Sequence, residues 1–305
     1  MKHIVLASFE MVPALQTQIQ VTAQVTPGDA SLVDLWLSTK TSPHTRRAYA
    51  SEVARFLAAV RKPLAEVTLG DLQHWIHYGM PQLSPASRNR AITAVKSLFT
   101  FAHETGYLRL NPAVAVKTLP NRDGLAQRIL SEEETRRVIE ATHPGRDRVM
   151  VRLLYASGIR VAELCGLEWR NLQARKPGQG GQITVFGKGG KTRSILLPES
   201  VWIQLLTLHP DGAAGPVFES PRTGRSLDAS QVRRIVYAAA SKAGLNSRIS
   251  PHWMRHAHAS HALDHQAPLH LVQATLGHSS IATTGRYLHA RPSDSSALYL
   301  PELPE

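Results

Sequence analysis

Pro251-His252-Trp253-Met254-Arg255-His256 is followed by Leu276-Gly277-His278-Ser279-Ser280-Ile281 and then by Thr283-Thr284-Gly285-Arg286-Tyr287. The pattern reads as helix, break and a second polar segment. Ser250-Pro251 marks a helix start, because proline has no N–H to lose at the first helical position. His252 and Arg255 are three residues apart and share one helix face. Gly277 can end a helix and present His278 on the loop that follows. Upstream, Gly158-Ile159-Arg160-Val161-Ala162-Glu163-Leu164 adds a further arginine and a carboxylate.

The flanking sequence is predicted to be mostly helical, with one exception. Between Pro177 and Pro198, Gln182-Ile183-Thr184-Val185-Phe186 and Ser194-Ile195-Leu196-Leu197 alternate as strands, and Lys188-Gly189-Gly190-Lys191 reads as the turn of a hairpin. Ser131-Glu132-Glu133-Glu134 has the form of a capping box and opens this second region.

The first region carries three similar helix starts. Ser42-Pro43 precedes Tyr49, Val53, Phe56, Leu57 and Val60 on one face, Thr68 precedes Leu72, Trp75 and Ile76, and Ser84-Pro85 precedes Ile92, Val95, Leu98, Phe99 and Ala102. With Leu32, Val33, Leu35 and Trp36 before them, they predict a bundle of about four helices. The expected organisation is an arm over 1–28, a helical domain over 29–111, a linker over 112–128 rich in turn signals, a larger domain over 129–292 and a tail over 293–305.

Lys and Arg outnumber Asp and Glu 35 to 23, a net charge of +12, which points to a polyanionic partner, most often nucleic acid. Cys165 is the only cysteine, so no internal disulfide can form, in keeping with a reducing compartment. No apolar run reaches the ~18–20 residues of a membrane span. The N-terminus lacks the long apolar region of a signal peptide, so a soluble, cytoplasmic protein is expected.

The residue types suggest one chemistry. A phosphodiester gains charge on its non-bridging oxygens as phosphorus becomes five-coordinate, and two arginine forks can hold those oxygens. Arg160 and Arg255 fit that task, and His278 can donate a further hydrogen bond. Tyr287 would be the nucleophile. With an ordinary pKa near 10, only ~0.1% of a free phenol is ionised at neutral pH, so it needs a proton acceptor and positive surroundings, which His252 and the arginines could provide. Lys188 at the hairpin tip, with Lys191 as its rival, could protonate the leaving sugar oxygen.

These residues, in this order, resemble the tyrosine recombinases of the phage-integrase family, and the Xer-type recombinases most closely in size and layout. The family pattern falls on Arg160, Lys188, His252 with Arg255, His278 and Tyr287, and Glu163 matches an acidic position that orients the site. Ser42-Pro43-His44-Thr45-Arg46-Arg47-Ala48-Tyr49 and Asn111-Pro112 resemble the family's SAM-like core-binding domain. The resemblance implies a mainly α protein, with an N-terminal helical bundle and a larger α-helical catalytic domain holding a small antiparallel sheet. It also implies site-specific strand cutting and rejoining through a 3′-phosphotyrosine, with no metal or ATP and no other cofactor. Expected partners are double-stranded DNA bearing an inverted-repeat site, three further copies of the chain on that DNA, and a second recombinase or accessory protein, with no membrane. Candidate DNA contacts are His44, Arg46, Arg47, Arg88, Arg90, Lys96, Lys191, Arg193 and Arg286. The tail, with Leu298, Leu300 and Leu303, would dock on a neighbouring protomer.

Arg286 departs from the family pattern, which often has a hydrophobic residue before the nucleophile. Other readings are a type IB topoisomerase and a DNA-binding protein without catalysis. The histidines of 252–265 include pairs spaced for zinc, but no cysteine or HExxH pattern supports a metal site.

Overall fold

The computed structural model describes residues 27–120, 124–187, 190–209, 214–245 and 249–290. The chain forms two compact units, Met1–Arg122 and Asp123–Glu305. In the first lie α1 (Pro27–Ser38), α2 (Pro43–Val60), α3 (Leu69–Tyr78) and α4 (Pro85–Glu104). In the second lie α5 (Glu132–Ala141), α6 (Arg146–Ser157), α7 (Val161–Cys165), β1 (Leu172–Ala174), β2 (Gly181–Phe186), β3 (Thr192–Leu197), α8 (Glu199–Leu206), α9 (Ala229–Lys242), α10 (Pro251–Asp264), α11 (Leu269–Leu276) and α12 (Ile281–Ala290).

In the first unit the helix starts lie where hydroxyl side chains can accept orphan N–H groups. Ser42 accepts from Thr45, Ser84 from Ser87, and Thr68 forms a reciprocal box with Asp71. The core is aromatic. Phe56 meets Trp75 edge-on at 5.0 Å and Phe99 at 6.0 Å, while Trp36 stacks on Tyr49 at 5.6 Å. Ala113 and Val116, from the stretch expected to be a linker, are buried in this core. Just beyond them, Asn89 on α4 ties down Leu119 through both the N–H and the C=O of that residue.

The second unit is built around α10, which packs on α5, α6, α9, α11 and α12. Ser131 and Glu134 cap α5 reciprocally. The sheet is antiparallel, with order β1-β2-β3, and Ile183 opposes Ile195 in the core. The hairpin differs from a two-residue Gly-Gly turn. Phe186 pairs with Thr192, so five residues, 187–191, make the connection, closed by the Gly187 N–H donating to the Lys191 carbonyl at 2.7 Å. Lys188, the arm up to residue 26 and the tail from 293 lie outside the described residues.

Candidate active site

The site grows from two helix ends. Gly158, in the left-handed region at φ 60°, closes α6, and Gly277, at φ 65°, closes α11. Both ends expose carbonyls that no helical N–H can reach, and both carry the negative pole of a helix. Arg255 on α10 points at both. Its guanidinium donates to the Gly158 carbonyl at 2.5 Å and to the Leu276 carbonyl at 2.6 Å. The residue is only 1% exposed. Burial, with Arg160 nearby, pulls its pKa down to about 10, still far above neutrality, so the cation persists.

Arg160 precedes α7 and is fixed by the helix it opens. Its backbone N–H donates to Glu163 at 2.8 Å and its guanidinium reaches the same carboxylate at 3.0 Å. It also donates to the Gly277 carbonyl at 3.3 Å. Arg193, on β3, takes the remaining places on Glu163, donating to both oxygens at 2.9 Å, and donates to the Thr275 carbonyl at 2.7 Å. Thus Thr275, Leu276 and Gly277, three consecutive carbonyls at the end of α11, each accept from a different arginine. Burial alone would raise the pKa of Glu163, but the hydrogen bonds from Arg193 and Arg160 and their charges more than offset it and hold the carboxyl below its ordinary value.

Tyr287 on α12 is 5% exposed. Its hydroxyl lies 2.7 Å from Nδ1 of His256, one helical turn beyond the expected partner His252. His252 stands one ring further out, edge-on to His256 at 4.3 Å, with part of its ring in solvent. His278 is held through Nδ1 by the buried Thr284 at 2.9 Å, leaving Nε2 as the nitrogen that Thr284 does not engage. Burial raises the tyrosine pKa against the pull of Arg255 and Arg286. Burial and the surrounding cations lower the imidazoles: His252 downward, His278 to about 4 and His256 to about 3.

These groups face one pocket of about 340 Å³, whose wall includes Arg160, Arg255, His252, His256, His278, Tyr287, Arg286 and Arg128. Five of the six sequence-predicted catalytic residues meet there, and the sixth, Lys188, lies outside the described residues. Sequence reasoning missed His256 and Arg128. The signal for His256 was present: it follows His252 by four residues, which places both rings on one helix face. Among the described residues no cluster of three or more His, Cys, Asp or Glu could hold a metal ion. The nearby histidines are otherwise committed, His258 to the Tyr155 carbonyl, His261 to the Tyr155 hydroxyl and Leu130 carbonyl, and His265 to Glu132.

The candidate DNA contacts divide. His44, Arg46, Arg47 and Lys191 are exposed, and Arg286 borders the pocket. Arg90 is engaged by the buried Glu52, Arg88 by the Met80 carbonyl and Lys96 by the Val116 carbonyl. Arg193 is the most committed, with a side chain 14% exposed.

Residues 127–294 match the phage integrase family, and residues 32–106 match the phage integrase N-terminal SAM-like domain. The chain belongs to the phage integrase family of tyrosine recombinases. This recombinase is 30% identical to the tyrosine recombinase XerC of Xanthomonas campestris pv. campestris (strain B100), over 85% of this chain and 82% of that one. It is 31% identical to XerD of Shewanella oneidensis, over 86% of this chain and 91% of that one. Its fold is that of a lambda integrase fragment (75–356) crystallised as a dimer bound to a COC′ core site, with a TM-score of 0.71 at 20% identity, covering 87% of this chain and 97% of that one. The mainly helical architecture and the reaction class, DNA recombination by a tyrosine recombinase, follow from that membership. No described helix of this recombinase is long and apolar enough to cross a membrane.

Proposed function

We propose that this recombinase cuts and rejoins double-stranded DNA at a specific inverted-repeat site through a 3′-phosphotyrosine. The observation that carries the reading is the convergence of two fixed arginines, His278 and Tyr287 on one pocket. Arg160, Arg255 and His278 hold the non-bridging oxygens of the scissile phosphate. The Tyr287 oxygen attacks phosphorus, the P–O5′ bond breaks, and the 5′-oxygen leaves with a proton from Lys188, or from Lys191 if the hairpin presents that side chain instead. The tyrosine proton passes to the His256–His252 pair, where His256 touches the hydroxyl and His252 meets solvent. A 5′-hydroxyl from another strand then attacks the phosphotyrosine and reverses the step. The ester keeps the bond energy and the chain supplies the cations, so the reaction needs neither ATP nor a metal. Strand exchange takes place in an assembly of four protomers on two DNA sites, in which the tail beyond residue 293 docks on a neighbouring copy. A second recombinase or an accessory protein takes part where the two half-sites differ. The exposed side chains of His44, Arg46, Arg47 and Lys191 contact the DNA.

Covalent capture tests this. Protein mixed with sheared genomic DNA is stopped with SDS, and the linked strands are sequenced. Adducts enriched at one inverted-repeat site, insensitive to EDTA and absent with Tyr287→Phe, are the expected result. An adduct from Tyr287→Phe, or loss of the reaction with EDTA, would overturn the assignment.

A further inference from the structure

We propose that Arg193 is a positioning residue of this active site: it offsets the charge of Glu163, so that Arg160 meets the phosphate as a cation. It is not a DNA contact. The inference rests on the phosphodiester reading above and adds a residue to it.

Glu163 creates a conflict. Its carboxylate fixes Arg160 through two hydrogen bonds, yet a negative charge 3.0 Å from the guanidinium cancels much of the field that Arg160 can offer a substrate. Arg160 and Glu163 alone form a neutral pair. Arg193 adds the second cation, and the three groups together carry one net positive charge. The carboxylate is saturated by this arrangement: Oε1 accepts from both guanidinium groups, and Oε2 accepts from Arg193 and from the Arg160 backbone.

Packing shows that Arg193 is built into this place. Its Nε bond to Thr275 joins β3 to the end of α11. A Cβ at Gly277, next to His278, would lie 3.0 Å from the Arg193 guanidinium, a tight contact added to the strain of its φ of 65°. A Cβ at Gly187, the base of the hairpin, would lie 3.5 Å from Glu163 and 3.6 Å from Arg193. The phosphate arginine and the end of α11 that leads to His278 are therefore both tied to one ion triad, with the hairpin base beside it. The Arg193 guanidinium bonds Glu163 and Thr275 through all three nitrogens and, unlike Arg160 and Arg255, does not line the pocket, so it faces the triad and not the phosphate.

The test compares Arg193→Gln, Arg193→Lys and the double variant Glu163→Gln/Arg193→Gln on a duplex carrying the site recovered by covalent capture. Single-turnover cleavage at saturating DNA, affinity across a salt series and thermal stability are measured for each. Arg193→Gln should cleave about tenfold more slowly or worse, with affinity and salt slope as in the parent. The double variant should cleave faster than Arg193→Gln alone, because removing the carboxylate charge leaves Arg160 cationic again. Arg193→Lys keeps the charge and should stay within about threefold of the parent. This variant decides the matter if Arg193→Gln does not fold. Unchanged cleavage by Arg193→Gln, a salt slope reduced by about one, a double variant no faster than the single, or a folded Arg193→Lys as slow as Arg193→Gln would each overturn the proposal. An unmodified protein that forms no adduct would instead sink the phosphotyrosine reading itself.

Discussion

Gly158→Ala should destabilise the catalytic unit by more than a left-handed glycine ordinarily costs. Gly158 has φ 60°, where a Cβ costs about 1–2 kcal/mol. Its Cβ would also lie 2.7 Å from Cδ2 of His258 and 2.9 Å from Leu276. Neither neighbour can retreat: His258 is bonded to the Tyr155 carbonyl at 2.8 Å, and Leu276 is fully buried. Overpacking of this kind costs about 1–3 kcal/mol, so the total is about 2–5 kcal/mol. With an m value of about 2–3 kcal/mol/M, the urea midpoint should fall by about 0.7–2.5 M. Gly224→Ala is the control, since Gly224 has φ 63° in the same unit and no atom within 4 Å, and it should lose only the conformational part. Any shift at Gly158 also moves a carbonyl that fixes Arg255, so at saturating DNA the surviving protein should cleave more slowly than Gly224→Ala. Equal urea midpoints for the two variants would refute the packing argument.

Folding stability should fall as pH drops from about 6.5 toward 4, because buried His256 and half-buried His258 and His278 are lowered to about 3, 4 and 4. The unfolded chain binds protons at these sites that the folded chain does not, and each site adds a slope of up to about 1.4 kcal/mol per pH unit. Urea midpoints across that range would expose a flat profile if the imidazoles were not buried neutral. Arg90→Ala should destabilise the first unit by about 1–3 kcal/mol, since it leaves Glu52, only 2% exposed, with Arg55 alone. Glu52→Ala/Arg90→Ala should be less destabilised than additivity predicts, and strict additivity in a double-mutant cycle would argue against the pair. Tyr287→Phe should lose about 1 kcal/mol of stability, because Nδ1 of His256 loses its partner, while DNA binding is retained. A thermal midpoint equal to the parent's would mean that this bond contributes nothing.

Most helix starts were legible because they depend on neighbours in sequence. Ser42, Thr68, Ser84 and Ser131 each accept from an N–H three residues on. The residues meeting in the pocket were legible as types in order, but their partners were not. Tyr287 is held by His256 because α12 crosses α10 one turn beyond His252, a packing detail that no spacing rule supplies. Arg193 looked like a cation on a hairpin. Its burial follows from β3 lying against α11, a contact between residues far apart in sequence. Strand β1 was missed because three residues are too few to display an alternation, and only pairing with β2 makes them a strand.

The end of α11 explains why the cations can be held so close together without collapsing the site. Like charges in one small volume repel, and a buried guanidinium also loses its water. Here each arginine recovers a carbonyl that the helix itself could not satisfy, and all three lie at the negative pole of α11, with α6 adding a second pole under Arg255. Glu163 then supplies a full negative charge in contact with the cluster, shared between Arg160 and Arg193. The imidazoles receive no such compensation and stay neutral, which leaves His256 without a proton on at least one nitrogen beside the Tyr287 hydroxyl. A phosphodiester entering the pocket would bring negative charge to a wall where the imidazoles are depressed by burial and neighbouring cations. It would therefore raise the pKa values of His278 and His252 while the arginines, already fixed, need not move. The helix ends reach the guanidinium groups and not the imidazoles, so the imidazoles are the groups whose charge a bound anion would change.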